Sequence, residues 1–207
     1  MSQSLIDDVG RVLWHGFPGP SVTPELHQQI ARGEIGAAIV FKRNLVTEVV
    51  AGPVPQEVTD LAALVELHRA LHAAAPRDLP LLIAVDQEGG VVQRVRAPAT
   101  QWPPMLALDN HPAGDDVALA RAVGEALGRE LCALGFDVDF APVLDVHTNP
   151  HNPIIGDRAL GRTAAAVIRR ALATAAGLAA GGVLACGKHF PGHGDTATDS
   201  HLALPRI

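Results

Sequence analysis

Short apolar segments alternate with longer helical patterns along the chain, and no other feature restricts the possible folds as strongly. The predicted strands are five mostly apolar runs, at 11–16, 36–41, 79–85, 138–142 and 183–188. The predicted helices between them occupy residues 24–32, 58–75, 117–134 and 163–180. Strands that are connected through helices pair in parallel, with right-handed crossovers. The sequence therefore predicts an α/β fold with a parallel sheet.

Several helix boundaries are explicit in the sequence. Thr23 is expected to cap the first predicted helix, because its side-chain oxygen can accept a hydrogen bond from the first turn. Pro24 suits the first helical position, where its missing N–H costs nothing. Glycines are expected to end the predicted helices, at Gly33, Gly135 and Gly181-Gly182.

Polar residues follow the predicted strands. They are Asn44, Asp86, Asp145, Lys188 and His189. In a barrel of parallel strands, the active site lies at the carboxyl ends of the strands. A doubly wound sheet also binds ligands there, but no G-x-G-x-x-G pattern of a dinucleotide-binding fold follows the first strand. A (β/α)8 barrel of the TIM type is therefore favoured.

The predicted strands are too few for a closed barrel. Five strands are found in 207 residues, whereas a complete (β/α)8 barrel needs eight strands and about 250 residues. An open five-stranded barrel would leave unpaired strand edges. We therefore expect residues 1–207 to form one barrel domain that is incomplete at its C-terminus, with only the first five strands present.

Composition and charge argue against several classes of partner. Hydrophobic residues make up 48% of the chain and charged residues 18%, which indicates a globular domain and not a disordered segment. The net charge of −6 provides no general attraction to nucleic acids or acidic membranes, and five Phe, two Trp and no Tyr offer little for base stacking. We expect neither nucleic acid nor membrane as a partner, and the sequence does not define an oligomeric state.

The N-terminal residues and the two cysteines bear on the cellular compartment. Asp7, Asp8 and Gly10 interrupt the N-terminal segment, which lacks the basic flank and long apolar core of a signal peptide. No stretch approaches the ~20 apolar residues that span a bilayer. A soluble, cytoplasmic protein is therefore expected. Cys132 and Cys186 form no C-x-x-C pair, and we expect both to be buried as small hydrophobic residues.

The segment from Lys188 to His201 has the composition of an active-site loop. It reads K-H-F-P-G-H-G-D-T-A-T-D-S-H, with one lysine, three histidines and two acids. Gly192 and Gly194 permit tight turns, so the polar side chains are expected to converge on one loop. Asp199 lies two residues before His201, where its carboxylate can orient the imidazole and stabilise its charge during proton transfer.

The same segment offers metal ligands, which gives a second interpretation. The candidate ligands are His189, His193, Asp195, Asp199 and His201. However, the helical H-E-x-x-H spacing is absent, and Lys188 would place a positive charge beside the ion. We therefore expect no metal and no other cofactor, and we assign His193 and Asp195 to hydrogen bonds that shape the loop.

Four motifs together resemble those of a known enzyme family. Besides the segment 188–201, they are V-D-Q-E-G-G-V-V-Q-R at 85–94, F-A-P-V-L-D-V at 140–146 and N-P-I-I-G-D-R-A-L-G at 152–161. This ordered set resembles family 3 glycoside hydrolases, specifically their β-N-acetylglucosaminidase (β-hexosaminidase) branch. The family fold is a (β/α)8 barrel, in agreement with the strand pattern.

The resemblance implies a role for each residue that matches the family's motifs. Substrate-binding roles are implied for Asp86, Arg94, Arg158, Lys188 and His189. His201 resembles the family's general acid/base, and Asp199 resembles its dyad partner.

Three further residues of the motifs are interpreted differently. We expect Glu88 to be a structural partner of nearby backbone or arginine, and Asp145 to hold a loop together. Val91 stands where the family usually has a basic residue, at a position that we regard as peripheral.

The resemblance also implies a reaction. It points to a retaining exo-β-N-acetylglucosaminidase that removes terminal N-acetylglucosamine from peptidoglycan-derived or related saccharides during cytoplasmic wall recycling. A retaining glycosidase needs a carboxylate nucleophile, and in the family this residue follows a later strand, so we expect it beyond Ile207. Two alternatives stay open. One is a phosphorylase, since a neutral His repels phosphate less than a Glu carboxylate does; the other is a non-catalytic sugar-binding module without the nucleophile.

Overall fold

The computed structural model describes residues 3–111 and 115–197. The helices are α1 (Gln3–Val12), α2 (Pro24–Ala31), α3 (Leu61–Ala74), α4 (Asp115–Leu134) and α5 (Ala164–Ala180). The strands are β1 (Trp14–Gly16), β2 (Ala37–Val40), β3 (Thr47–Val50), β4 (Gln56–Thr59), β5 (Leu82–Val85), β6 (Gln87–Gly89), β7 (Val92–Gln93), β8 (Val138–Asp139) and β9 (Leu184–Ala185). Among the described helices, none has the length and apolarity that crossing a membrane requires.

The main sheet has five strands, which follow one another in chain order. That order is β1-β2-β5-β8-β9. β1 pairs in parallel with β2, so that Trp14 lies opposite Ala37, and β2 pairs in parallel with β5, so that Ala37 lies opposite Leu82. A helix lies between each strand of this sheet and the next. The predicted alternation of strands and helices around a parallel sheet is confirmed.

Strand β5 positions the first predicted site residue. Its residues Ile83, Ala84 and Val85 have no exposed surface, as is usual for a parallel strand that is covered on both faces. This burial explains why its sequence, L-I-A-V, is continuously apolar and does not alternate. Asp86 follows at once, so the three buried residues of this strand set the position of its backbone.

The contacts within the chain define two compact units, of which the first comprises Met1–Asp86, Arg94–Thr100 and Leu131–Val138. Its helices α2 and α3 begin at capping residues. The Thr23 hydroxyl accepts a hydrogen bond from the amide of Leu26 at 3.2 Å, which confirms the predicted cap of α2, and Asp60 caps α3 in the same way. Buried leucine and isoleucine side chains of α2 and α3, with Leu71 fully enclosed, supply much of the core of this unit.

The second unit comprises Gln87–Gln93, Gln101–Glu130 and Asp139–Ile207. Glycines allow α4 and α5 to approach closely within it. A Cβ atom added to Gly124 would lie 2.4 Å from the carbonyl oxygen of Thr174, and one added to Gly177 would lie 2.2 Å from that of Arg121. No side chain fits at either position, so the two backbones are in direct contact there.

The structure corrects the predicted boundaries at several places. Residues 11 and 12 belong to α1, so the first strand begins only at Trp14. β3 and β4 form an antiparallel hairpin that was not predicted; the helix expected from residue 58 therefore starts at Leu61, after Asp60 caps it. A second unpredicted hairpin pairs β6 with β7. Cys132 and Cys186 are exposed, and the expectation that they are buried is wrong.

Candidate functional site

Asp86 and Arg94 form an ion pair in the first unit. Nη2 of Arg94 lies 3.4 Å from Oδ2 of Asp86, and 31% and 17% of the Arg94 and Asp86 side chains, respectively, are exposed. Nε of Arg94 is buried and has no hydrogen-bond partner among the described residues. The structure brings this predicted pair together, and its role in substrate binding stays a prediction.

Glu88, on β6, is a buried carboxylate that binds two cations in the second unit. Its Oε2 accepts a hydrogen bond from Nε of Arg158 at 2.8 Å, and its Oε1 accepts one from Nη2 of Arg158 at 2.8 Å. Nζ of Lys188 lies 2.5 Å from Oε1. Only 2% of the Glu88 side chain is exposed, against 11% for Arg158 and 16% for Lys188. The prediction that Glu88 is a structural partner of an arginine is confirmed.

Arg158 lies at the end of a short 3-10 turn, Gly156–Arg158, whose flanks are buried. Ile155 and Ala159 pack against Val143 in one apolar cluster and thereby fix the turn. Nη1 of Arg158 donates to the carbonyl oxygen of Ile154 at 2.9 Å. The guanidinium is thus held by the turn on one side and by Glu88 on the other.

Asp145 and His189 form a second contact between a carboxylate and a predicted site residue. Nδ1 of His189 lies 2.6 Å from Oδ2 of Asp145, whose side chain is fully buried, whereas 36% of the His189 side chain is exposed. Burial alone would raise the pKa of Asp145, but hydrogen bonds from the His189 ring and from the backbone amides of His193 and His189 outweigh it. They hold the pKa of Asp145 below its ordinary value, so the group is a carboxylate at neutral pH.

The loop that follows β9 is held, as far as residue 197, by hydrogen bonds within itself and to the segment before Asn152. Nδ1 of His193 lies 2.5 Å from the hydroxyl oxygen of Thr196, and the Thr148 hydroxyl donates to Asp195 at 3.0 Å. A Cβ atom at Gly194 would lie 2.0 Å from the carbonyl oxygen of Val146, so only glycine fits. The contact of His193 with Thr196 confirms its predicted role within the loop, whereas Asp195 accepts its hydrogen bond from Thr148, outside the loop.

Asn152 is a loop-shaping residue that the sequence did not single out. Its side-chain amide donates to the carbonyl oxygen of His193 at 2.7 Å, and its Oδ1 accepts from the amides of Ile154 and Ile155. It therefore joins the segment before Arg158 to the loop after His189. Its place in the 152–161 motif was visible, but nothing in the spacing indicated its partners.

The predicted site residues thus fall into three groups. Arg158, Lys188 and His189 lie together in the second unit, and Nη2 of Arg158 is 3.3 Å from Nε2 of His189. Asp86 and Arg94 pair with each other in the first unit. The proposed acid/base pair, Asp199 and His201, lies outside the described residues. Within 3–111 and 115–197, no group of three or more His, Cys, Asp or Glu side chains is arranged to hold a metal ion.

Comparison with known families identifies the class of protein. Residues 11–207 match the family described as the glycosyl hydrolase family 3 N terminal domain. This match covers almost the whole chain, and the chain therefore belongs to that family. The resemblance found in the four motifs is confirmed.

Curated relatives carry the name β-hexosaminidase. "Beta-hexosaminidase A" of Pseudoalteromonas piscicida is 40% identical over 192 residues, which are 90% of this chain and 30% of that protein. "Beta-hexosaminidase" of Neisseria meningitidis serogroup B is 40% identical over 188 residues, which are 89% of this chain and 48% of the relative. This chain thus spans half or less of the length of these two relatives.

Solved structures confirm the fold class. NagZ from Neisseria gonorrhoeae superimposes with a TM-score of 0.81 at 37% identity, over 93% of this chain and 53% of that one. A family 3 β-N-acetylglucosaminidase from Paenibacillus gives a TM-score of 0.85 at 38% identity, over 98% of this chain and 36% of the other. The five strands of the main sheet are thus those of a TIM-type α/β barrel.

Proposed function

We propose that the chain carries the saccharide-binding part of a retaining exo-β-N-acetylglucosaminidase. Its substrates would be peptidoglycan-derived or related saccharides that end in N-acetylglucosamine. The observation that carries the proposal is the cluster of Arg158, Lys188 and His189, which two buried carboxylates hold in place in a chain of this family. One of the solved NagZ structures from Neisseria gonorrhoeae is a complex with N-trifluoroacetyl-D-glucosamine, which supports an N-acylated glucosamine as the ligand class.

The proposed binding residues suit the chemistry of a sugar ring. Guanidinium and ammonium groups are donors only, so Arg94, Arg158 and Lys188 complement hydroxyl and carbonyl oxygens. The Asp86 carboxylate accepts hydrogen bonds from vicinal hydroxyls, and His189 contributes a half-exposed imidazole. Donors in fixed positions, such as Arg158 and Lys188 on the Glu88 carboxylate, would hold the glycosidic bond in position for proton transfer.

Proton transfer is assigned to His201, with Asp199 as its partner. Glycosidic cleavage needs a proton on the leaving oxygen while positive charge develops at the anomeric carbon. An imidazole that titrates near neutral pH can donate that proton and later retrieve it from water. A carboxylate two residues away stabilises the imidazolium, the form that holds the proton before donation and again after its retrieval.

The nucleophile is proposed to be a carboxylate beyond Ile207. Asp139 and Asp145, the candidates on the preceding strand and just after it, are both buried, and each already accepts a hydrogen bond from a backbone amide. Their burial argues against attack by either group on a saccharide.

The cytoplasmic location likewise stays a prediction, which fractionation of native cells tests.

The function is tested on the full product of the gene, with an aryl β-N-acetylglucosaminide as substrate. Release of the sugar first as its β-anomer, followed by proton NMR, is the expected result for a retaining enzyme. Release of the sugar 1-phosphate only when phosphate is added would establish the phosphorylase instead. Saccharide binding without any turnover would establish a non-catalytic module and overturn the proposal.

The acid/base role is tested separately by His201→Ala. Loss of the proton donor should abolish turnover of an alkyl glycoside, whose leaving group is poor, and spare an aryl glycoside with a good leaving group far more. His151→Ala is the matched control, because His151 is an exposed histidine. Unchanged turnover of the alkyl glycoside by His201→Ala would refute the assignment.

A further inference from the structure

Asp145 contacts the His189 ring and the backbone around it at the same time. Its Oδ2 accepts from Nδ1 of His189 at 2.6 Å and from the backbone amide of the same residue at 3.2 Å. Its Oδ1 accepts from the backbone amide of His193 at 2.5 Å. One buried carboxylate therefore fixes both the ring and the path of the chain that carries it.

The two ends of the His189 ring define its tautomer. An ionised carboxylate is an acceptor only, so Nδ1, which faces Asp145, carries the hydrogen. At the other end, Nε2 lies 3.3 Å from Nη2 of Arg158, and a guanidinium is a donor only. Nε2 is therefore the acceptor. Both contacts are satisfied by the neutral Nδ1–H form, whereas an Nε2–H group would point at a cation.

Arg158 cannot turn away from this contact without losing others. Glu88 holds its Nε and Nη2, both at 2.8 Å, and the carbonyl oxygen of Ile154 accepts from its Nη1 at 2.9 Å. The acceptor Nε2 and the donor Nη2 thus lie side by side in fixed positions, with more than a third of the His189 side chain exposed.

We propose that Asp145 is a positioning residue, which sets His189 in the Nδ1–H tautomer so that its Nε2 and the neighbouring Nη2 of Arg158 together recognise a sugar hydroxyl. This inference rests on the function proposed above. A hydroxyl donates its hydrogen to Nε2 and accepts one from Nη2 through the same oxygen. An ether or a fluorine at that position of the sugar accepts only and leaves Nε2 without a donor. Asp145 would therefore select for a group that is both donor and acceptor.

The test is Asp145→Asn in the full product of the gene. The amide has the size of the carboxylate, and its oxygen can still accept from the His193 amide, but its NH2 group then faces Nδ1 of His189. The ring must accept at Nδ1 and carry its hydrogen on Nε2, against Arg158. The 15N shifts of the His189 ring should change from the Nδ1–H to the Nε2–H pattern. We expect kcat/KM for the aryl glycoside to fall about 10- to 100-fold, as when a carboxylate that orients a metal-binding histidine is removed.

A double-mutant cycle with His189→Ala separates positioning from a general structural role. If Asp145 acts through the ring, Asp145→Asn causes a much smaller loss in the His189→Ala background than in the wild type, because only its backbone contacts are then disturbed. Fully additive losses would overturn the proposal. Asp195→Asn is the matched control, because this exposed carboxylate of the same loop contacts Thr148 and should leave the His189 spectrum unchanged.

The wild-type spectrum alone also decides the matter, even if the variant does not fold. An Nε2–H pattern for His189 in the wild-type protein would overturn the inference. This readout needs no substrate, so it is independent of the proposed function. If the protein turns over no saccharide but His189 shows the Nδ1–H pattern, the proposed enzymatic function is refuted, whereas the inference that Asp145 sets the tautomer still stands.

Discussion

Glu88 and Arg158 meet in a bidentate ion pair, with two N–H groups of one guanidinium on the two oxygens of one carboxylate, both at 2.8 Å. Lys188 shares this carboxylate from a different part of the chain, at 2.5 Å. All three side chains are at least four-fifths buried. Removing one charge from such a group strongly destabilises the folded protein, because the charges that remain are buried without a counter-charge.

Glu88→Gln should therefore lower the stability of the protein substantially. The amide keeps the shape of the side chain but leaves Arg158 and Lys188 without their counter-charge. We expect the free energy of unfolding to fall by about 3–5 kcal/mol, measured by urea denaturation. The control is Glu125→Gln, which removes the partner of the exposed Arg129 and should cost about 1 kcal/mol at most. Equal small losses in both variants would contradict the prediction.

Arg158→Lys should weaken saccharide binding although it preserves the charge. An ammonium group cannot reproduce the two parallel hydrogen bonds to Glu88, nor place a second donor beside His189 at the same time. We expect the dissociation constant of an N-acylglucosamine ligand to rise at least tenfold, about 1.4 kcal/mol, by isothermal titration calorimetry. Arg129→Lys, in an exposed ion pair, is the control. An unchanged dissociation constant for Arg158→Lys would show that binding does not require the guanidinium group.

The sequence predicted the regular part of this fold better than its hairpins. Buried parallel strands such as β5 are continuous apolar runs, and Thr23 with Pro24 is a strong local signal for a helix start. The hairpin of β3 and β4 has no comparable signal. Antiparallel pairing is stabilised by contacts across the strands, and these depend on which segments meet.

In the candidate site too, the roles of single residues could be predicted from nearby sequence, but their distant partners could not. Residue types and motifs sufficed to assign structural roles to Glu88 and Asp145. Their partners could not be predicted from spacing, because Glu88 lies 70 residues from Arg158, and Asp145 lies 44 residues from His189. Only the folded chain brings these groups together, and the tautomer of His189 follows from that arrangement alone.

His68 is a buried histidine outside the candidate site. Its Nδ1 lies 2.8 Å from the carbonyl oxygen of Leu134, and its ring meets Phe136 edge to face, with centroids 4.5 Å apart. Nε2 is buried without a hydrogen-bond partner among the described residues. Burial lowers the pKa of His68 from 6.5 to about 4, and the hydrogen bond to Leu134 only partly opposes it.

This histidine should make the protein lose stability in mild acid. Below pH 6.5 the unfolded chain protonates His68 while the folded chain does not until about pH 4, so the unfolded state binds more protons in that window. Stability is full above pH 6.5 and falls by about 3 kcal/mol on the way to pH 4. His68→Gln should flatten this part of the curve of unfolding free energy against pH, whereas His27→Gln, at an exposed histidine, should not. Parallel curves for wild type and His68→Gln would refute the assignment.

The close approach of α4 and α5 inverts the usual effect of replacing a helical glycine. In an exposed helix, Gly→Ala stabilises by about 1 kcal/mol. At Gly177 the new methyl group would lie 2.2 Å from the carbonyl oxygen of Arg121 and 2.7 Å from the amide nitrogen of Glu125. Backbone atoms cannot yield as a flexible side chain does, so the helices must separate.

Gly177→Ala is therefore expected to destabilise the protein, by about 1–3 kcal/mol as for other overpacked cores. Urea denaturation measures the change. Gly52→Ala is the matched control, because its methyl group would meet only the carbonyl oxygen of Val54, at an ordinary 3.5 Å. A stability for Gly177→Ala equal to or above that of wild type would mean that α4 and α5 do not pack backbone to backbone in solution.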